Sequence, residues 1–222
     1  MSLKTAITSL PFFSLLEDDL IDEVSSIATL SPLAKSYVLH YENQKSSQLQ
    51  FLVSGLAKAY KIDKHENEIF LYHINENSLL SEVTDLTSTT LQTFSNLELQ
   101  EDSVVLSLDY ALFKKQFLDT KILCHAFTNE ILNRSLKMQD LLSREFIFDA
   151  VSKVAMMLRS DLSIFNKLKR HDISLMLHIQ PATLSRVLNR LKRNNIITIV
   201  QGQVEVLDAK ALKNIYEGDL DD

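Results

Sequence analysis

The hydrophobic pattern changes its period partway along the 222-residue chain, and this change constrains the fold more than any other feature. Between residues 36 and 108, short apolar or alternating runs are separated by polar clusters, as is typical of short β-strands. Between residues 109 and 148, apolar residues recur at helical spacing without an intervening glycine or proline. Strands followed by a long helix predict an α+β fold whose first part is a β-roll or sandwich.

Local patterns place the elements of this first part. Leu20, Val24 and Ile27 predict a short helix over residues 17–30, and the polar residues 63–67 predict a hairpin turn. The predicted strands are residues 37–41, 49–53, 57–62, 69–74, 93–99 and 104–108.

An apolar stripe runs along the long helical segment. Its members are Leu123, Phe127, Ile131, Met138 and Leu142. A helix of about 25 residues with so wide an apolar face predicts a dimer interface, with packing against its own domain as the alternative.

Charge is distributed unevenly along the chain. The formal net charge is −6, which argues against a nucleic-acid partner, but residues 166–195 carry seven lysines and arginines against Asp172 alone. A basic island inside an acidic chain is the pattern expected of a protein that contacts phosphate, although it also fits a solvated basic face.

This basic island has the pattern of two short helices. Residues 171–177 form an amphipathic segment, residues 178–180 a turn, and Pro181 opens a second helix that extends to about residue 194. The apolar residues of the second helix fall on one face, and its polar residues fall on the other. Residues 196–200 and 203–207 then predict a β-hairpin, or wing, around Gln201 and Gly202.

The polar face of the second helix carries the chemistry needed to read DNA. Arginine can bind guanine O6 and N7, and asparagine can bind adenine N6 and N7, when such a helix lies in the major groove. The predicted DNA-binding residues are Lys169, Gln180, Pro181, Ala182, Thr183, Ser185, Arg186, Asn189, Arg190, Lys192 and Arg193.

The order of elements and the run from Pro181 to Leu188 resemble the Crp/Fnr superfamily of bacterial transcription regulators. The resemblance implies a cupin-like β-roll of the cyclic-nucleotide-binding-domain type, a long dimerisation helix and a winged helix-turn-helix. It divides the chain into an effector or sensor domain (1–117), a dimerisation helix (118–147) and a DNA-binding domain (148–222).

The resemblance also implies roles for individual residues. Ser185 and Arg186 match positions that contact bases, and Thr183 matches one that contacts a phosphate. Ala182 stands where the family frequently has glutamate, so the target half-site is expected to differ from the familiar ones. His178 replaces the turn glycine and is a residue type that tolerates a positive φ.

Two cofactors of the family are not expected here. The stretch that corresponds to the nucleotide-phosphate site, residues 78–94, offers Ser81 and Glu82 but no arginine or lysine, so a cyclic nucleotide would lack a cationic partner. Cys124 is the only cysteine, which excludes a four-cysteine iron-sulfur cluster.

Haem remains as a cofactor option. The candidate ligands are His73, His125 and Cys124, with His40 and His65 as further histidines of the sensor half, although a single histidine is more often structural. By elimination, this option suggests a response to nitric oxide or another redox or gas signal, as in a stress response.

The sequence therefore predicts a cytoplasmic homodimer that binds double-stranded DNA at an inverted repeat, without a membrane partner or catalytic activity. RNA polymerase would be a further partner of an activator. One alternative is a cupin-type metal enzyme, which the absence of a His-x-His pair disfavours. Another is a regulatory interaction module that does not bind DNA.

Overall fold

The computed structural model of the protein describes residues 1–83 and 85–217. The chain divides into two compact units, Met1–Lys137 and Met138–Asp222. Helices and antiparallel sheets occur together in the described residues, as the α+β prediction requires.

The first unit opens with helix α1 (Leu3–Ser9), a 3₁₀ turn (Pro11–Phe13) and helix α2 (Asp18–Ser26). Its strands are β1 (Ala28–Leu33), β2 (Val38–His40), β3 (Lys45–Ser46), β4 (Gln48–Ser54), β5 (Leu56–Ile62), β6 (Glu68–Asn75), β7 (Ser78–Leu79), β8 (Leu91–Gln92), β9 (Asn96–Leu99) and β10 (Ser103–Asp109).

Two four-stranded sheets contain most of the strand residues of this unit, in the orders β1-β10-β4-β7 and β2-β9-β5-β6, and β3 pairs with β8. The hairpin predicted at residues 63–67 is confirmed, because β5 and β6 pair on either side of a turn in which Asp63 N donates to Asn67 O at 2.9 Å. Between β4 and β5, Gly55 has φ +110°, and a Cβ there would collide with Ser103 Oγ, so glycine is required.

A cluster of phenylalanines forms the centre of the first unit's larger core. The Phe12 ring lies 4.8 Å from both Phe13 and Phe51, and 6.4 Å from Phe127, measured between ring centroids. All four side chains are buried. Apolar residues of the N-terminal helices, the first sheet and the start of the long helix thus share one core.

The helix expected over residues 17–30 ends earlier than its pattern predicts. Helix α2 stops at Ser26, and residues from Ala28 onward form β1, which pairs with β10 in a register that places Ala28 opposite Leu108. The prediction was wrong for this last part because pairing with a distant strand outweighs a weak local helical period.

The helical segment predicted from residue 109 to residue 148 has three parts: α3 (Tyr110–Phe113), a π-helical turn (Lys114–Leu118) and α4 (Cys124–Phe146). Lys121, with φ +68°, lies in the break before α4. The sequence offers no glycine or proline as a signal for this break.

The second unit contains α5 (Ala150–Ser160), α6 (Leu162–Lys167), α7 (Arg170–Met176), α8 (Pro181–Arg193), β11 (Ile197–Val200), β12 (Gln203–Val206) and α9 (Ala209–Glu217). Its core joins apolar residues from every one of these elements. Within the described residues, none of the helices is both long and apolar enough to cross a membrane.

Candidate nucleic-acid interface

Helices α7 and α8 are joined by a turn with well-defined hydrogen bonds. Helix α7 ends in a Schellman motif, in which His178 N donates to Leu175 O at 3.1 Å and Ile179 N donates to Ser174 O at 3.0 Å. His178 occupies the left-handed position of this motif with φ +50°. The structure thus places His178 in the conformation expected for the residue that replaces the family's turn glycine.

Helix α8 begins at the proline that the sequence singles out. Gln180 precedes it with extended backbone, and Pro181 occupies the first helical position, where no amide hydrogen bond is lost. Thr183 N and Leu184 N both donate to Gln180 O, at 2.8 and 3.0 Å. The start of the proposed recognition helix is therefore fixed by backbone bonds.

One face of α8 is buried in the second unit's core. Leu184, Val187, Leu188 and Leu191 are each at most 5% exposed. Burial of four aliphatic side chains contributes roughly 6–12 kcal/mol of transfer free energy before the cost in conformational entropy. The core therefore determines which face of α8 is turned outward.

The outward face of α8 carries most of the predicted DNA-binding residues, whereas Lys169 directly precedes α7. Thr183 is half-buried, and the other predicted positions are exposed, namely Lys169, Gln180, Pro181, Ala182, Ser185, Arg186, Asn189, Arg190, Lys192 and Arg193. Ser185 Oγ donates to Pro181 O at 3.1 Å in this structure.

Arg186, Asn189, Lys192, Arg193 and Asn195 line one open concave surface. Both kinds of side chain suited to major-groove bases, arginine and asparagine, are thus adjacent there. Arg190 lies to one side, in a second concavity that also contains Asp149. The backbone N–H of Ser152 lowers the pKa of the Asp149 carboxyl, and the charge of Arg190 adds a smaller effect.

The wing follows directly after α8. Strands β11 and β12 pair in a register that places Val200 opposite Gln203. Gln201 and Gly202 form the two-residue turn, with φ +50° and +83°. These positive values match a type I′ hairpin turn, in agreement with the sequence-based prediction.

The apolar stripe that the sequence predicts as a dimer interface divides into a buried part and an exposed part. Leu123 and Phe127 are 2% and 3% exposed because they pack into the first unit's phenylalanine-rich core. They are therefore not available to a second copy. Ile131, Met138 and Leu142 are exposed, at 37%, 39% and 54%.

Each of the haem-ligand candidates Cys124, His125 and His73 contacts a residue nearby in the sequence. Cys124 Sγ donates to Leu118 O at 3.1 Å, and His125 Nδ1 lies 3.3 Å from Asn129 Nδ2. The His73 ring packs edge-on against Phe70 at 4.9 Å. Among residues 1–83 and 85–217, no three His, Cys, Asp or Glu side chains converge as potential metal ligands.

His40 differs from these residues because it is buried. It is 8% exposed, and its Nε2 has no hydrogen-bond partner in the part of the chain that the structure describes. Burial lowers the pKa of His40, which favours the neutral ring. No pattern in the sequence distinguishes His40 from His65, which is exposed.

Arg134 was missed by the sequence analysis, which considered cations only within residues 78–94. Its guanidinium donates to the carbonyl oxygens of Ser81, Leu80 and Leu79, at 2.7, 3.2 and 3.3 Å. A cation thus lies beside this segment, but it comes from α4. Arg134 follows Phe127 by seven residues, and this spacing, which keeps both on one helix face, is the signal that could have identified it.

Glu82 is also engaged within the chain. Its carboxylate accepts from Ser95 Oγ at 2.9 Å and from the backbone N–H groups of Phe94 and Ser95. The acidic group of this segment therefore already has donors, as Arg134 already has acceptors.

The sequence of residues 152–215 matches the Crp-like helix-turn-helix domain. No curated relative matches the chain significantly in sequence. The match confirms the predicted helix-turn-helix within the second unit, and it covers α5 to α9.

Solved structures share the fold of most of the chain. A protein assigned to the crp/fnr family of transcriptional regulators from Eubacterium rectale aligns with a TM-score of 0.69 at 18% identity, over 94% of this chain and 98% of its own. FixK2 from Bradyrhizobium japonicum has a TM-score of 0.67 at 16% identity, over 86% and 98%. A CooA variant from Carboxydothermus hydrogenoformans has a TM-score of 0.65 at 18% identity, over 85% and 88%. The resemblance to Crp/Fnr regulators and the predicted fold class are thereby confirmed.

Proposed function

We propose that this chain, with its Crp-like helix-turn-helix and Crp/Fnr-type fold, is a homodimeric transcription regulator that reads an inverted-repeat operator. The observation that carries the proposal is the exposed face of α8. It presents Arg186 and Asn189 beside Lys192 and Arg193, while the opposite face is buried. Such a helix can lie in the major groove, where arginine and asparagine discriminate bases.

The proposal assigns dimerisation to the exposed part of α4. Ile131, Met138 and Leu142 recur at intervals of seven and four residues and leave apolar surface uncovered in a single chain. Two copies related by a two-fold axis would cover the same stripe on each. We retain the three-part division proposed from the sequence: sensor (1–117), dimerisation helix (118–147) and DNA-binding domain (148–222).

The proposed partners follow from this role. They are double-stranded DNA, a second copy of the chain and, for an activator, RNA polymerase, and the protein acts in the cytoplasm. The proposal includes no catalytic step. It also includes no gas signal, because the local contacts of Cys124 and His125 give that hypothesis no support.

A gel-shift comparison of Arg186→Ala and Lys192→Ala tests the base-reading assignment. We expect Arg186→Ala to cost about 1–3 kcal/mol for each half-site and to relax specificity at one base pair per half-site. Lys192→Ala should weaken binding to all sequences and reduce the slope of log affinity against log salt by about 0.9 for each half-site, or about 1.8 for the dimer.

Equal loss of specific and non-specific affinity in Arg186→Ala would contradict base reading by this residue. Failure of the wild-type chain to bind any DNA would instead favour an interaction module without a DNA partner.

A further inference from the structure

The wing differs chemically from the rest of the basic island. Between Ile197 and Val206 the only charged side chain is Glu205, so the wing brings no cation to a phosphate. Its turn nevertheless exposes polar groups, since Gln201, Gly202 and Gln203 are all exposed. Amide and backbone N–H groups can contact phosphate oxygens without contributing charge.

The side-chain amide of Asn166, near the end of α6, bonds to the backbone of the wing as a residue of a neighbouring β-strand would. Its Nδ2 donates to Val204 O at 2.9 Å, and its Oδ1 accepts from Val204 N at 2.8 Å. Gln203 Nε2 donates in return to Asn166 O at 3.3 Å. These three bonds fix β12 to α6 independently of the β11 ladder.

Arg170, the first residue of α7, holds the turn itself. Its Nη2 donates to Gly202 O at 3.0 Å, and its guanidinium carbon lies 4.6 Å from the centre of the Phe165 ring. Nη1 is buried without a hydrogen-bond partner in the described residues. The guanidinium of this half-buried side chain thus lies against the wing turn and the Phe165 ring.

From these contacts we infer that Asn166 and Arg170 are positioning residues for DNA binding, which hold an uncharged wing turn in place to contact the sugar-phosphate backbone through Gln201, Gln203 and neighbouring amides. The inference rests on the proposed function. It has a distinctive consequence, because only cationic contacts release counterions and steepen the salt dependence of affinity. The wing should add affinity that is independent of salt.

Salt titrations of operator binding by the full chain test this consequence. Gln201→Gly removes one side-chain amide of the wing, and glycine suits the positive φ at this position. Asn166→Ala removes the two hydrogen bonds to the Val204 backbone. Arg170→Met removes the hydrogen bond to Gly202 O but keeps an apolar contact with Phe165. Each variant should bind about 3- to 10-fold more weakly, the effect of one or two lost hydrogen bonds, with an unchanged salt slope.

Lys192→Ala is the matched control, and its salt slope should fall by about 0.9 for each half-site, or about 1.8 for the dimer. A similar fall for Arg170→Met would overturn the inference by showing that Arg170 itself contacts a phosphate. Wild-type affinity in Gln201→Gly and Asn166→Ala would overturn it by showing that the wing makes no contact.

Two further measurements separate positioning from loss of fold. Amide hydrogen exchange of Val204 should quicken in Asn166→Ala while the amides of α8 remain protected. Hydroxyl-radical footprinting should show that this variant loses protection of one backbone segment per half-site and retains the rest. Loss of the entire footprint, with unprotected α8 amides, would contradict a positioning role.

The proposed function and this inference fail in different ways. If the wild-type chain does not discriminate an operator from random DNA, the proposed function is wrong. If the wild-type chain discriminates and Arg186→Ala relaxes specificity, while the wing variants bind as the wild type does, only the inference is wrong.

Discussion

Arg134→Met is expected to destabilise the first unit, because three carbonyl groups would lose their donor. Leu79, Leu80 and Ser81 are between 1% and 6% exposed, so water has little access to this segment. The bond at 2.7 Å to Ser81 is a charge-assisted hydrogen bond of about 1.5–3 kcal/mol, and the two longer bonds share one nitrogen and add about 1 kcal/mol together. Since Arg134 itself is half-buried, we discount this sum to about 2 kcal/mol.

Differential scanning calorimetry of the full chain measures the effect. For a unit of this size, about 2 kcal/mol corresponds to a fall of roughly 5–10 °C in the transition that the first unit contributes. Arg134→Lys is the matched control, because it keeps the positive charge but lacks the planar fork of donors, and it should recover only part of the loss.

A first-unit transition of Arg134→Met within 1 °C of the wild-type temperature would refute this reasoning. So would full recovery in Arg134→Lys, because charge alone would then account for the effect.

Two further predictions concern dimerisation and helix capping. Leu142→Glu places a charge on the exposed α4 stripe and should shift the protein from dimer to monomer in sedimentation equilibrium. The control variant Gln139→Glu, which changes an exposed polar residue of the same helix, should remain a dimer. A Leu142→Glu variant that remains a dimer would contradict the assignment of this stripe to the dimer interface. Asp149 caps α5 by accepting from Ser152 N at 2.8 Å, so Asp149→Ala should cost about 1 kcal/mol near neutral pH. Because the folded-state pKa of Asp149 is lowered, this stabilisation is present above the ordinary value of 3.8 and is lost as pH falls through the folded-state pKa. Urea denaturation of the wild type and of Asp149→Ala between pH 2 and 7 measures this pH dependence. A difference in the free energy of unfolding that persists at the lowest pH would contradict the capping role of the Asp149 carboxylate.

The face of α8 could be predicted because its pattern is local. Leu184, Val187, Leu188 and Leu191 recur at helical spacing, and the structure buries all four. Once that face is known, helical geometry places Arg186 and Asn189 on the opposite side. The wing was predictable for the same reason, since two β-rich runs border a short Gln-Gly turn.

Contacts between distant segments could not be predicted in this way. Arg134 is 53 residues from Ser81, and Asn166 is 38 residues from Val204. No sequence periodicity relates such distant positions. Only the folded chain therefore shows that the Arg134 guanidinium binds the segment before Glu82, or that the Asn166 amide binds the backbone of the wing. The split of the apolar stripe into a buried and an exposed part also depends on contacts between distant segments. The phenylalanine-rich core covers Leu123 and Phe127 but not Leu142.

Selection of bound sequences from random double-stranded DNA by the purified full chain tests the central claim most directly. The account predicts an enriched inverted repeat whose half-site centres lie about one helical turn, roughly 34 Å, apart, with two copies of the chain bound per site. It also predicts that Arg186→Ala selects a repeat with one relaxed position in each half-site. The absence of any enriched sequence, or enrichment of a motif without two-fold symmetry, would contradict it.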